Sequence, residues 1–375
     1  MTATPQSRTL TGALATVANF PLVFLGILAI ATQSSGDEEI ALLNLWAIWG
    51  FLQALLGQIG LATAVLDRIA WNAPPVLVRA AVASALTIAV VAPLRSRLFP
   101  GHERWVFAAG AAAFAVFLIG RLRGDRSLAG DGVSTVVVTA AENLVRTALL
   151  VILLFADRGS AADLAIVAPF LVSIVALEQR RSRRPAGATT DDAASSPARV
   201  WGGVLAGLPA VAAYALVPGL TLLDEVADLD AVSIATSLLR GPLLVATFAS
   251  AWILQEFLAG ATPPNWVRLL FPPLIAAHLV VQLFDPGLIV GLVLHGLLSG
   301  LALFLGYLTT LGSLHAIDRL NTRAGVGVAV AAVVFVILLS LSPSVELVHP
   351  FLALTGVAGV LGAVLSTAAA QEAAP

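Results

Sequence analysis

Apolar residues fill this chain in long runs, each about as long as a bilayer crossing and separated from the next by a short polar cluster. About 20 apolar residues span the ~30 Å of hydrocarbon. On that measure the pattern predicts twelve membrane helices, near residues 10–31, 40–66, 75–93, 104–121, 133–155, 161–177, 200–220, 230–254, 267–284, 287–309, 324–341 and 347–368. Arg8 precedes the first run, and Ala29-Ile30-Ala31 has the small-x-small form of a signal-peptide cleavage site. The run is nevertheless longer than the roughly 7–15-residue apolar core of such a peptide, so it reads as a retained span. The longest polar stretch, residues 178–199, is basic at first and then rich in Ala, Ser, Thr and Asp, the composition of a flexible linker. It parts the spans six and six. The expected fold is an all-α polytopic membrane protein, with a six-helix lobe at 1–177, a linker at 178–199 and a second six-helix lobe at 200–375.

Composition supports the bilayer reading. Of 375 residues, 59% are hydrophobic and 11% charged, and the mean hydropathy is +0.95. A water-soluble domain could not bury that much apolar surface. With no cysteine, disulfides and thiolate metal sites are excluded. No metal, cofactor or nucleic-acid partner is expected, and no G-x-x-x-x-G-K-[ST] loop is present to bind ATP.

The net charge of −2 matters less than its distribution. With the N-terminus inside, 14 arginines fall in inner loops (Arg8, Arg68, Arg79, Arg121, Arg123, Arg126, Arg180, Arg181, Arg183, Arg184, Arg199, Arg268, Arg319 and Arg323). Four fall outside: Arg95, Arg97, Arg104 and Arg158. Acidic residues lean outward, as Asp37, Glu38 and Glu39 after the first span and Asp224, Glu225, Asp228 and Asp230 before the eighth. The bias predicts both termini in the cytoplasm. Within 178–199, Arg180–Arg184 serves as a topology signal or as a contact for anionic membrane lipids. Trp46, Trp71, Trp105, Trp201 and Trp266 lie near span ends and are expected to be interface anchors. Arginine takes every basic position in place of lysine, and the helices are alanine-heavy, a composition that points to a GC-rich bacterial genome and so to a bacterial inner membrane.

The remaining two arginines, Arg146 and Arg240, lie deep in predicted spans five and eight. At 1.5 Å per residue they sit roughly 20 Å and 15 Å from opposite faces, both near the midplane. A cation at that depth lines a cavity or satisfies a partner. A guanidinium is also a planar fork of donors matched to phosphate oxygens. Glu142 stands four residues before Arg146 and shares its helix face. The pair either locks the helix to its neighbours or acts in coupling, protonation of Glu142 freeing Arg146 for an anion. Arg240 has no acidic residue within a turn. Asn19, Gln53, Gln58 and the pair Gln255-Glu256 are further candidates to line a cavity, or to bond between helices. His278 and His295 could relay protons or be ordinary hydrogen-bonded histidines. Gly50, Gly57, Gly60, Pro209, Pro218, Pro242 and Pro272-Pro273 mark places of close helix packing or of bending.

Three stretches resemble the polysaccharide-type lipid-linked oligosaccharide flippases of the multidrug/oligosaccharidyl-lipid/polysaccharide (MOP) exporter superfamily. They are Gly36 to Ala70, an apolar helix ending in a Gly-rich turn and a polar-Arg pair; Arg121 to Leu154, an Arg-rich inner loop and a helix with an arginine midway; and Asp228 to Leu254, containing Arg240-Gly241-Pro242-Leu243. The resemblance implies a V-shaped two-lobed transporter with alternating access and no ATP requirement. It would carry a polyprenyl-(pyro)phosphate-linked sugar or related cell-envelope precursor to the outer leaflet, in company with cell-envelope glycosyltransferases. On this reading Arg146 and Arg240 hold the phosphate, one from each lobe, and the chain is not an enzyme. The first span lacks an arginine, Asn19 being its strongly polar group, which departs from the lipid II exporters and argues against lipid II as cargo. Two alternatives remain. A multi-span polyprenyl-phosphate-sugar glycosyltransferase would use Asp37, Glu38 and Glu39 in the first outer loop, although Thr32 to Glu39 is too short to build a catalytic loop. A non-transporting flippase-like scaffold would need no cavity chemistry.

Overall fold

In the computed structural model of the chain, the described residues are 5–67, 74–129, 131–181 and 270–284, with single positions at 221, 290, 294, 297 and 298. Every element among them is helical: α1 (Pro5–Gln33), α2 (Gly36–Leu66), α3 (Val76–Val91), a short α4 (Arg95–Leu98), α5 (Trp105–Leu128), α6 (Gly132–Phe155), α7 (Asp163–Arg181) and α8 (Phe271–Phe284). Five segments are long and apolar enough to cross a membrane: Gly36–Ala64, Val76–Leu98, Trp105–Arg126, Gly132–Phe155 and Gly159–Glu178. Six long helices therefore stand where the first six spans are expected, and α8 falls in the ninth. α7 runs on through residues 178–181, which were expected in the linker. The rest of the linker and, apart from the single positions in the tenth, the other predicted spans lie outside the described residues, as do Pro209, Pro218 and Pro242.

Local chemistry sets the helix ends. Pro74-Pro75 precedes α3, and a proline holds the residue before it away from helical geometry. Pro93 lies in the 3₁₀ turn Ala92–Leu94, where the chain changes course into α4. After α6, Asp157 adopts a left-handed φ of 55°, which a short polar side chain tolerates. The α1–α2 turn is tighter than expected. Only Ser34 and Ser35 separate the helices, and Gly36 takes φ 60°. Asp37, Glu38 and Glu39 are thus not loop residues but the first turn of α2, where carboxylates complement the helix dipole.

α5 is the hub. It packs against α2, α3 and α7, while α6 packs against α1 and α7. The α2–α5 seam explains Gly57 and Gly60. A Cβ on Gly60 would fall on the carbonyl oxygen of Phe117, and one on Gly120 would fall on that of Gly57. Across the same seam, a Cβ on Gly124 would meet the Cβ of Ala64 and the backbone of Leu61. Backbones this close require small residues on both helices, the usual device for holding membrane helices together.

Two expectations are corrected by the packing. Trp46 and Trp105 are not interface anchors but core, 3% and 0% exposed. The indole of Trp46 lies against Gly26 of α1 and edge-on to Trp49, ring centroids 5.1 Å apart. Trp105 stacks on His102 at 4.4 Å and meets Phe99 at 6.3 Å, beneath the α4 turn. Nearby, buried Asn44 donates to the Leu98 carbonyl (3.0 Å) and accepts from the hydroxyl of Thr221 (3.3 Å), a residue beyond the predicted linker. The other three tryptophans lie outside the described residues.

At the end of the bundle carrying the α2–α3 and α5–α6 turns, charges pair across helices. Arg79 of α3 bonds Asp67 at 2.7 Å, and Arg121 of α5 reaches the same carboxylate at 3.3 Å while pairing with Asp125. Here two cations meet two anions.

Candidate functional site

A second charged cluster lies inside the bundle, and α6 supplies its centre. Glu142, Asn143 and Arg146 occupy positions i, i+1 and i+4, so both polar side chains reach Arg146 on one helix face. Arg146 donates to Glu142 Oε1 and to Asn143 Oδ1, each at 2.7 Å. Its guanidinium lies over Trp49 of α2, 4.2 Å from the ring centroid, and over Phe170 of α7 at 4.8 Å. Asn143 donates to Asn19 of α1 (2.7 Å), and Asn19 donates to its own helix at the Ala15 carbonyl (2.8 Å). Thr147 adds a bond to the Leu22 carbonyl at 2.7 Å. One face of α6 is thereby joined to α1, α2 and α7.

The other oxygen of Glu142 accepts from the Ser173 hydroxyl of α7 and from Arg123 of α5 at 3.4 Å. Arg123 also donates to Gln53 Oε1 of α2, again at 3.4 Å. The site thus holds two guanidiniums on one carboxylate. Glu142 and Arg146 are wholly enclosed, at 0% exposure, and Arg123 is 8% exposed. Among the described residues this is the buried ion-pair cluster where cations outnumber anions. Satisfaction is uneven: Glu142 accepts on both oxygens, while the Nε of each arginine and the Nε2 of Gln53 are buried without partners among the described residues, which adds to the cost of burying the ions.

The structure therefore brings Asn19, Gln53, Glu142 and Arg146 together. Gln58 is half-buried, about a turn and a half along α2 from Gln53. Arg146 touches protein on all sides in this conformation rather than facing a wet cleft. Arg240, Gln255, Glu256 and His295 lie outside the described residues, and His278 is on α8 with its side chain outside them. No group of three metal-ligating side chains occurs among the described residues.

Sequence reading missed Arg123, Asn143, Ser173 and Trp49. The apolar run ends near residue 121, which places Arg123 in an inner loop, yet α5 continues to Leu128 and carries Arg121, Arg123 and Arg126 on the helix. Asn143 was detectable from its i, i+3 spacing to Arg146. Ser173 and Trp49 carry no local signal, because their roles come from the helices they face.

The fold is similar to that of solved membrane transporters. One is a multidrug resistance MATE family transporter of the MOP superfamily in an outward-facing conformation, with a TM-score of 0.52 at 14% identity over 99% of this chain and 96% of that one. Another is a MATE protein in complex with Br-NRF, with a TM-score of 0.50 at 13% identity over 99% and 97% of the respective chains. No protein-family model and no curated protein matches the sequence. The chain is a multi-pass membrane protein, all-helical among the described residues and similar in fold to these transporters.

Proposed function

We propose that this protein is a transporter that moves a polyprenyl-(pyro)phosphate-linked sugar, or a related lipid-linked cell-envelope precursor, from the inner to the outer leaflet by alternating access. The observation that carries the proposal is the excess guanidinium at Glu142. A bundle that keeps one uncompensated cation among apolar helices is suited to an anionic headgroup, because intramembrane charges are retained where a pathway uses them. Arg240, from the second half, would be the matching cation. The setting is the bacterial cytoplasmic membrane with both termini inside, and the cargo would come from glycosyltransferases that act on the inner face.

Drug efflux is the competing reading, because one structural neighbour is named for multidrug resistance. An organic cation would be repelled by the net positive charge around Glu142, which favours the anionic cargo. The test uses proteoliposomes carrying a fluorescent polyprenyl-pyrophosphate sugar, with reduction of the dye in the outer leaflet as the readout, alongside ethidium export. The expected outcome is protein-dependent flipping of the lipid and no ethidium movement. Ethidium transport without flipping would overturn the proposal. Arg240→Ala is expected to abolish flipping at unchanged protein level; undiminished flipping would remove Arg240 from the pathway.

A further inference from the structure

We infer that Arg123, not Arg146, is the guanidinium of the first bundle that leaves its internal carboxylate to bind the phosphate of the cargo; this rests on the proposed transport of a lipid-linked phosphate. The two arginines share Glu142 but are held very differently. Arg146 makes two bonds of 2.7 Å, lies over two aromatic faces and is fully enclosed. Without Glu142 it would still keep Asn143, Trp49 and Phe170. Arg123 has two bonds of 3.4 Å, one to Glu142 and one to Gln53, and no aromatic face against it among the described residues. The Nε of both arginines is without a partner there, so bond length and enclosure set the two apart. Gln53 is equally underused, since its Nε2 is buried without a partner there. Arg123 without Glu142 would keep only a long bond to an amide.

Position points the same way. Arg123 stands five residues before the end of α5, close enough for a long side chain to reach the membrane surface. It lies buried in the bundle beside Glu142 instead. The neighbouring cations do not share this arrangement. Arg79 and Arg121 are balanced by Asp67 and Asp125, and Arg126 donates to the Leu177 carbonyl at 2.6 and 3.2 Å and approaches Asp131 at 3.9 Å. Glu142 accordingly acts as a resident anion on Arg123. A phosphate oxygen can replace it there, with the free amide of Gln53 as a second donor, while Ser173 and Arg146 retain the carboxylate. The exchange moves a charge-assisted bond from one acceptor to another and brings a second anion to a cluster that otherwise holds two cations on one carboxylate.

The test measures binding of undecaprenyl pyrophosphate to the full chain in detergent, with thermal unfolding of each variant measured in parallel. Arg123→Gln is expected to bind about tenfold more weakly, the loss of one charge-assisted contact, with its melting temperature close to wild type. Arg123→Lys should recover part of the affinity, and Arg146→Gln should lower the melting temperature first. Inorganic pyrophosphate as competitor separates the sources of the phosphate: displacement at similar concentrations means that the headgroup alone is read, and failure to displace means that the lipid is required. If wild type binds no pyrophosphate lipid, the proposed function fails and this inference with it. If wild type binds and Arg123→Gln binds equally well, only the inference is overturned. Should Arg123→Gln fail to fold, Arg123→Met, which also removes the charge, decides the matter by the same comparison with wild type.

Discussion

Glu142 is the acceptor on which two guanidiniums depend, so its loss differs in kind from the loss of either arginine. Replacing it with glutamine keeps the shape but leaves two cations without a counter-charge inside the bundle. Breaking a buried pair in this way destabilises by about 3–5 kcal/mol. Glu142→Gln is expected to show the largest fall in thermal stability of any single change in the cluster, measured as unfolding in detergent. Arg123→Gln, which leaves Glu142 paired with Arg146 and Ser173, should fall least. Half of this chemistry was legible beforehand, because four-residue spacing on a helix is a geometric statement. The other half depended on where α5 stops. Hydropathy ended it near Arg121, since an arginine-rich turn reads as a loop, whereas those arginines find a carboxylate on α5 itself, another on α6 and a carbonyl on α7, and the helix runs to Leu128.

At the scale of helices, apolar run length located the first six long helices, five of which contain a segment long and apolar enough to cross a membrane, and their ends shifted by a few residues wherever polar groups could be satisfied on a helix. Trp46 and Trp105 show what run length cannot convey. Both sit near span ends in the sequence, but the glycine at position 26 and the α4 turn make room to enclose them. The glycine seam is the firmest inter-helix feature. A side chain at Gly60 would meet backbone of α5, which cannot rotate away as a side chain can. Gly60→Leu is therefore expected to destabilise by about 1–3 kcal/mol or more, through overpacking that forces α2 and α5 apart. The same unfolding measurement checks it, with Gly101→Ala as an informative contrast: nothing lies near a Cβ there, and only its φ of 70° resists the change.

At the scale of the whole molecule, Asn44 joins the end of α2, the α4 turn and Thr221. Because the chain has no native cysteine, a pair introduced at Asn44 and Thr221 can be bridged without background. A short bifunctional thiol reagent is expected to link Asn44→Cys to Thr221→Cys within one chain, seen as a mobility shift after cleavage at an engineered site between residues 182 and 199. Under the transport proposal the same link should stop flipping, and reduction of a cleavable reagent should restore it. Uninterrupted flipping in fully linked protein would mean that this end of the molecule does not move during transport. Sequence pattern divided the chain in two through its linker but carried no sign of Asn44, an amide whose partners are distant in the sequence.

α3 rests on α5 through Ala80 and Ala83, while Leu77, Val82, Leu86 and Val90 face away from the bundle. Those four positions answer to acyl chains alone. They are free to drift among Leu, Ile, Val and Phe over generations, whereas the two alanines and the Asp67–Arg79 tether are not. A lineage of such chains would wear its variation on one stripe of one helix.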